Sequence, residues 1–119
     1  MEQQIKLAIV TGASSGVGAA TAAVLVKRGY RVVMIARSAD KLADLAATLG
    51  VLAIAAPANA ASEVEMGPLA TRILADYGPP DLIVNSAGAG QWKRIEDTTE
   101  AEAREMMDAP YMAAFVTTR

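Results

Sequence analysis

Short runs of consecutive apolar residues alternate with longer, helix-prone stretches along the chain. Four runs, at 5–10, 31–36, 51–55 and 81–84, have the length of strands and are rich in Val, Ile, Leu and Ala. Because these runs are apolar at successive positions, and not at alternate ones, both faces of the sheet that they form should be covered. The pattern therefore predicts a parallel sheet buried between helices.

A helix-prone segment follows each of the four runs, and capping residues mark the boundaries of these segments. The markers are Gly29 after the first helix, Ser38 and Gly50 around the second, Ser62 before the third, and Thr98 or Thr99 before the fourth. The third helix is predicted to carry Leu69, Ile73 and Leu74 on one face. The order β-α-β-α-β-α-β-α with right-handed crossovers predicts a single α/β domain over residues 1–119, built on a doubly wound parallel sheet.

The amino-acid composition excludes several kinds of catalytic and metal-binding site. The chain has no Cys and no His, which excludes disulfides, Cys or His metal sites and His-dependent catalytic triads; no metal site is predicted. The 11 basic and 13 acidic residues give a net charge of −2, which argues against nucleic acid as a partner. No apolar run approaches the roughly 20 residues of a membrane span, and the first residues lack the features of a signal peptide. A cytoplasmic protein without a membrane partner is therefore expected.

The most informative stretch is residues 11–18, which read TGASSGVG and lie between the first strand and the first helix. Gly12 permits a tight turn out of the strand, Gly16 lets backbone N–H groups approach a pyrophosphate, and Gly18 lets the helix pack closely on the sheet. The helix N-terminus supplies free donors and a partial positive charge. The stretch predicts a phosphate-binding loop, with a glycine-rich turn that binds nothing as the alternative.

The spacing G-x-x-x-G-x-G, preceded by Thr11, resembles the cofactor motif T-G-x-x-x-G-x-G of the short-chain dehydrogenase/reductase family. Residues 81–88, DLIVNSAG, resemble the family motif D-x-L-V-N-N-A-G, with Ser86 in place of the second Asn. Residues 57–60 match the segment after the third strand, where Asn59 replaces the usual Asp and can still hydrogen-bond an adenine edge. The resemblance covers the whole chain and implies a Rossmann-like fold of about four strands and four helices, in the strand order 3-2-1-4.

The resemblance also implies a dinucleotide cofactor and the residues that bind it. The candidates are Gly12, Ser14, Ser15, Gly16, Val17, Gly18, Arg37, Ser38, Asn59, Ala60, Asn85, Ala87 and Gly88. At the end of the second strand, where NAD-binding folds have an acidic residue, this chain has Ala36 followed by Arg37 and Ser38. A guanidinium here can hold a 2′-phosphate that no carboxylate repels, so NADP is favoured over NAD. A solvated surface arginine is the alternative.

Catalytic residues of the family type are not found in this sequence. The resemblance implies a catalytic Ser and a Tyr-x-x-x-Lys pair on elements beyond the fourth helix, and this chain is expected to stop before them. The residues four positions after Tyr30, Tyr77 and Tyr111 are Met34, Asp81 and Phe115. Pro110 aligns with the Asn of the family's proton relay and lacks the side chain for that role. We therefore assign no catalytic residue.

Three functions remain open on the sequence. The first is an NADP-dependent oxidoreductase that transfers hydride between the nicotinamide and a small-molecule carbonyl or alcohol. The second is a non-catalytic dinucleotide-binding module or a truncated family remnant, and the third is a structural role through the fourth helix. Self-association through that helix or through the open edge of the fourth strand is expected. Glu100, Glu102 and Glu105 are interpreted as the solvated, acidic start of the fourth helix.

Overall fold

A computed structural model describes residues 5–14, 16–86 and 94–119, apart from the side chains of residues 108 and 109. Four strands alternate with four helices, as the sequence predicts, and a single 3₁₀ turn, Ile95–Asp97, precedes the last helix. The strands are β1 (Leu7–Thr11), β2 (Arg31–Ala36), β3 (Ala53–Pro57) and β4 (Leu82–Asn85). The helices are α1 (Gly16–Lys27), α2 (Ala39–Leu49), α3 (Glu63–Tyr77) and α4 (Glu100–Thr118).

The strands form one parallel sheet in the order β3-β2-β1-β4, which confirms the predicted order. The register places Thr11, the last residue of β1, opposite Ile35 on one side and Asn85 on the other. The carboxyl ends of the strands therefore lie along one edge of the sheet, with the first strand of the chain at its centre.

Both faces of the sheet are buried, which explains why the strands are apolar at every position. The side chains of β1 alternate between the faces: Ala8 and Val10 pack with Ala22 and Leu42 of α1 and α2. Leu7 and Ile9 pack on the opposite face with Met66, Leu69 and Ile73 of α3 and with Ala113 of α4. A doubly wound arrangement follows, with two helices on each side.

The structure corrects the predicted bounds of three strands. Thr11 and Asn85, assigned to loops from the sequence, end β1 and β4 because they complete the ladder between these two strands. The third strand, predicted at 51–55, lies two residues further along the chain at Ala53–Pro57, and Pro57 is its last residue. Proline is tolerated there because β3 is an edge strand and its neighbour Ala58 donates the hydrogen bond to Ala36.

The predicted helix caps are confirmed at Ser62, whose hydroxyl oxygen accepts a 3.3 Å hydrogen bond from the backbone of Glu65, and at Thr99. Thr99 and Glu102 form a reciprocal capping box at the start of α4. Leu74, predicted to share one face with Leu69 and Ile73, is 54% exposed. Met66, Leu69 and Ile73 form the buried stripe of α3 at spacings of three and four, and Leu74 lies one residue, about 100° of helix rotation, off that stripe.

Asp81 joins the amino ends of β1 and β4. Its backbone N–H donates to the carbonyl of Leu7 at 2.8 Å, and its carboxylate oxygen Oδ2 accepts from the N–H of Leu7, also at 2.8 Å. The buried position of Leu7 makes this N–H costly to leave without an acceptor. Asp81 therefore sets the start of the β1–β4 ladder.

Replacing Asp81 by Ala is expected to lower the free energy of unfolding by about 1–3 kcal/mol, because the Leu7 N–H loses its acceptor. Asp81→Asn keeps an acceptor oxygen and should recover part of this loss. Urea unfolding followed by circular dichroism measures the change, with Asp44→Ala on the exposed face of α2 as the control. Equal unfolding midpoints for Asp81→Ala and the control would contradict the assignment.

Candidate functional site

The loops that leave the four strands converge at the carboxyl edge of the sheet. Gly12 follows β1, Arg37 follows β2, Ala58 follows β3 and Ser86 follows β4. Two hydrogen bonds hold these loops: Ala58 N–H to the Ala36 carbonyl at 2.9 Å, and Ser86 N–H to Thr11 Oγ1 at 3.2 Å. In open α/β sheets this edge is where ligands bind, at the point where the strand order reverses. That point lies here between β1 and β4.

The glycine-rich loop has the backbone geometry that its sequence predicts. Gly12 and Gly16 adopt positive φ angles of 64° and 58°, a region that other residues rarely occupy. A Cβ placed on Gly18 would overlap the carbonyl oxygen of Gly12 and lie 2.7 Å from the carbonyl carbon. The first turn of α1 can therefore pack directly on the end of β1 only with glycine at position 18.

The same loop fits a phosphate group. The space that a Cβ would occupy at Gly16 is open, with no neighbouring atom within 4 Å, so a ligand can approach this backbone closely. Helix α1 begins at Gly16 and has no acidic residue in its first turn. Its N-terminal N–H groups and positive dipole end are therefore not offset by a local carboxylate, which favours an anion.

A cleft of about 580 Å³ opens beside this loop. Its volume lies in the range of sites for small molecules and cofactors, about 300–1,000 Å³. It is lined by Gly12, Ser14, Ile35, Ala36, Arg37, Ser38, Ala58, Asn59, Ala60, Ala61, Ala101, Arg104, Glu105 and Ala113. Small apolar side chains dominate this lining, and a few polar groups interrupt it, which is typical of a nucleotide site.

Six of the predicted site residues line this cleft together: Gly12, Ser14, Arg37, Ser38, Asn59 and Ala60. Gly16 and Gly18 shape the adjacent loop, and Val17 is exposed beside it. Asn85 lies outside the cleft lining, and its Nδ2 donates to Thr118 Oγ1 at 3.3 Å. Ser15, Ala87 and Gly88 lie outside the described residues.

Arg37 and Ser38 form the side of the cleft at the end of β2. The Arg37 side chain is exposed and makes no ion pair or hydrogen bond with the described part of the chain, so its guanidinium is available to a ligand. Ser38 also caps α2, since its hydroxyl oxygen accepts from the N–H of Lys41 at 3.4 Å. The Ser38 hydroxyl hydrogen is not used by this cap and can be donated to a phosphate.

Helix α4 forms a wall of the cleft that the sequence analysis missed. It contributes Ala101, Arg104, Glu105 and Ala113. Glu105 is exposed, as the interpretation of a solvated helix start predicts, and it also borders the cleft. The predicted topology carried a usable signal, because the crossover helix after β4 must begin at the same edge as the other binding loops. How far α4 extends along the cleft could not be predicted, because it depends on packing between segments that are distant in sequence.

The face of α4 opposite the buried Ala113 is apolar and open. Met107, Tyr111 and Phe115 are 68%, 67% and 51% exposed. They lie at a spacing of four residues and line a shallow groove with Pro110 and Ala114. Pro110 lies inside a helix that continues on both sides of it. An exposed apolar stripe of this kind marks a surface that packs against another element or another chain.

Within residues 5–14, 16–86 and 94–119 the structure shows neither a cluster of metal ligands nor a membrane-spanning helix. These ranges contain no cluster of three acidic, His or Cys side chains that could hold a metal ion. Among the helices of the same ranges, none combines the length and apolar character needed to cross a membrane.

Comparison with known proteins identifies a family. A family profile described as short chain dehydrogenase matches residues 6–119. An uncharacterized oxidoreductase of Staphylococcus haemolyticus is 38% identical over 104 residues, which make up 87% of this chain and 45% of that protein. The chain thus spans about half the length of the curated relatives it matches.

Solved structures share the fold and are known with cofactors. A 3-ketoacyl-(acyl-carrier-protein) reductase from Brucella melitensis, complexed with NADH, has a TM-score of 0.89 and 28% identity, covering 96% of this chain and 47% of that one. An L-sorbose reductase from Gluconobacter frateurii, complexed with NADPH and L-sorbose, has a TM-score of 0.86 and 28% identity, covering 98% and 46%. The similar proteins therefore include complexes with both forms of the cofactor.

Replacing Gly18 by Ala is expected to destabilise the fold by about 1–3 kcal/mol, because the new methyl group overlaps the Gly12 carbonyl. Ala20→Ser, on the exposed side of the same helix, is the control and should change the stability by no more than about 0.5 kcal/mol. Thermal unfolding measures both changes. A Gly18→Ala variant as stable as the wild type would show that the contact between α1 and β1 is not tight.

Proposed function

This chain belongs to the short chain dehydrogenase family of oxidoreductases, and we propose that it forms the cofactor-binding half of an NADP-dependent member. Residues 1–119 are proposed to act as one NAD(P)-binding domain of a cytoplasmic protein. The substrate would be a small molecule that carries a carbonyl or an alcohol. The nicotinamide cofactor, when bound, supplies or accepts the hydride.

The observation that carries this proposal is the continuity between the glycine loop and the cleft. Gly12 and Ser14 belong to both, so a pyrophosphate at the N-terminus of α1 would leave the adenosine beside Arg37, Asn59 and Ala60. The backbone donors of α1 would hold the pyrophosphate. The small side chains of the cleft would enclose the base and exclude water from it.

The preference for NADP over NAD is proposed from Arg37 and Ser38. An acidic residue at the end of β2 would accept hydrogen bonds from the ribose 2′-hydroxyl of NAD and repel the 2′-phosphate of NADP. This position holds Ala36, followed by a guanidinium without an ion-pair partner in the described residues and by a serine hydroxyl. Both groups can donate to a 2′-phosphate.

Residues 1–119 are not proposed to catalyse hydride transfer by themselves. No Tyr in the sequence is followed four residues later by Lys, and Pro110 stands where the resemblance places the relay Asn. We infer that the catalytic Ser and the Tyr-x-x-x-Lys pair lie outside these 119 residues. The residues present would bind and orient the cofactor, including those of the predicted set outside the cleft lining: Ser15, Gly16, Val17, Gly18, Asn85, Ala87 and Gly88.

A second candidate is a non-catalytic dinucleotide-binding module or a truncated family remnant. It is favoured by the presence of the glycine loop and the cleft in one folded unit that lacks the catalytic pair. A measurement of enzymatic turnover distinguishes the two candidates. NADPH oxidation above the buffer rate with a panel of aldehydes and ketones would exclude the non-catalytic module.

Arg37→Ala is expected to raise the Kd for NADPH about tenfold or more and to leave the Kd for NADH nearly unchanged, because only NADPH loses a charge-assisted hydrogen bond. Titration of cofactor fluorescence measures both constants. Arg72→Ala, which removes an exposed arginine of α3 outside the cleft, is the control.

Two results would count against this assignment of the cofactor. Tighter binding of NADH than of NADPH by the wild type would contradict the NADP preference. Absence of any thermal shift with NADPH and with 2′,5′-ADP would contradict dinucleotide binding altogether.

Self-association is proposed through the exposed stripe of α4 or the open edge of β4. Sedimentation velocity should show a rising mass with concentration. Tyr111→Glu should abolish the association if the α4 stripe carries it, because a carboxylate cannot be buried unpaired in an apolar contact. Leu82→Lys should abolish it if the β4 edge does. A wild type that stays monomeric at high concentration would contradict both surfaces.

A further inference from the structure

Two arginines from distant parts of the sequence line the same cleft. Arg37 follows β2, and Arg104 lies in the second turn of α4. With Glu105 they are the charged residues of the described cleft lining, so this lining is positive although the whole chain carries a net charge of −2. Two like charges that border one cleft favour an anionic ligand, because an anion between them replaces their mutual repulsion by two attractions.

The guanidinium of Arg104 retains donors that the protein does not use. Its Nη2 lies 3.3 Å from Glu100 Oε1, one turn earlier on the helix, and the two side chains are 73% and 82% exposed. An ion pair in such a position contributes little to stability, because water solvates both charges. A guanidinium has five N–H donors. Within the described part of the chain, Glu100 is the acceptor that Arg104 contacts, so most of its donors are available to a ligand.

The charge of a phosphate group depends on how many ester bonds it makes. A monoester carries about −1.5 to −2 at pH 7, whereas a phosphate linked on both sides carries one negative charge. One guanidinium therefore offsets only part of the charge of a monoester, and a second one can offset the rest. In the proposed cofactor the 2′-phosphate is the monoester, and the pyrophosphate lies at the N-terminus of α1. Two arginines in the cleft thus match the 2′-phosphate better than they match the pyrophosphate.

We propose that Arg104 is a second specificity-determining residue for the 2′-phosphate, which it holds together with Arg37. The inference rests on the proposed function, in which the cleft holds the adenosine of NADPH. Arg37 approaches the phosphate from the end of β2, and Arg104 approaches it from α4. Glu100 holds the Arg104 side chain in position without using its remaining donors. The preference for NADP is then divided between two elements that are distant in sequence.

The test measures the Kd values of the full chain for NADPH, NADH, 2′,5′-ADP and 5′-AMP, by fluorescence titration for the dinucleotides and by isothermal calorimetry for the others. Arg104→Gln should raise the Kd for NADPH and for 2′,5′-ADP about tenfold, because both lose a charge-assisted hydrogen bond. The Kd values for NADH and 5′-AMP should change by less than about threefold. With Arg37→Ala added, the constants for NADPH and NADH should lie within about threefold of each other.

Two control variants isolate the guanidinium. Glu100→Gln breaks the same ion pair and keeps Arg104, so it should not weaken the binding of NADPH. Lys41→Gln removes an exposed cation from the first turn of α2, outside the described lining of the cleft, and should keep the wild-type Kd for NADPH. Arg104 is exposed, so the unfolding temperature of its variant without cofactor should equal that of the wild type.

Three results would overturn this inference and leave the proposed function standing. The first is an Arg104→Gln variant that still distinguishes NADPH from NADH as well as the wild type does. The second is an equal loss of affinity for both cofactors in that variant, since the 2′-phosphate is present in only one of them. The third is a loss of NADPH affinity in Glu100→Gln as large as in Arg104→Gln. A wild type that binds none of the four ligands would overturn both proposals.

Discussion

The contact between Gly18 and the Gly12 carbonyl is the constraint on which the rest of the site depends. It brings the first turn of α1 against the end of the central strand, at a distance that no side chain on residue 18 would allow. The N-terminal donors of α1 are thereby placed at the carboxyl edge of β1, where the loops from the other strands also arrive. Gly18 serves this packing and Gly16 leaves space for the proposed anion, because both roles need a backbone without a Cβ.

The central strand makes this placement rigid. All five residues of β1 are buried, and the strand pairs with β2 on one side and β4 on the other. Asp81 joins β1 to β4 at their amino ends, and Thr11 accepts from Ser86 at their carboxyl ends. The crevice between β1 and β4 is therefore held from both ends of the ladder. Loops that carry a binding site can adopt irregular conformations when the strands beneath them are fixed in this way.

Helix α4 contributes residues to two different surfaces. Its inner face meets the cleft and the loop after β3, while its outer face exposes a stripe of large apolar side chains. A partner on the outer face would restrain the same helix that forms one wall of the cleft. The proposed association surface and the proposed cofactor site therefore share one helix.

The sequence by itself determined the element order and the glycine loop, and its resemblance to a known family implied the strand order. Strands that are apolar at every position indicate a sheet with both faces covered. Glycines at positions 12, 16 and 18, between a strand and a helix, are typical of a phosphate-binding loop. It did not determine strand ends to the residue, because pairing with a neighbour decides whether Thr11, Asn85 or Pro57 joins the ladder. It also did not predict that Leu74 is exposed or that Glu105 borders the cleft. Their positions depend on how a helix is rotated and how far it reaches over the sheet, and contacts between segments distant in sequence decide both. Only the tertiary structure brings Asn59 and Glu105 to the same cleft. The two residues are separated by 45 others, so the spacing of residues within either segment does not predict that they come close.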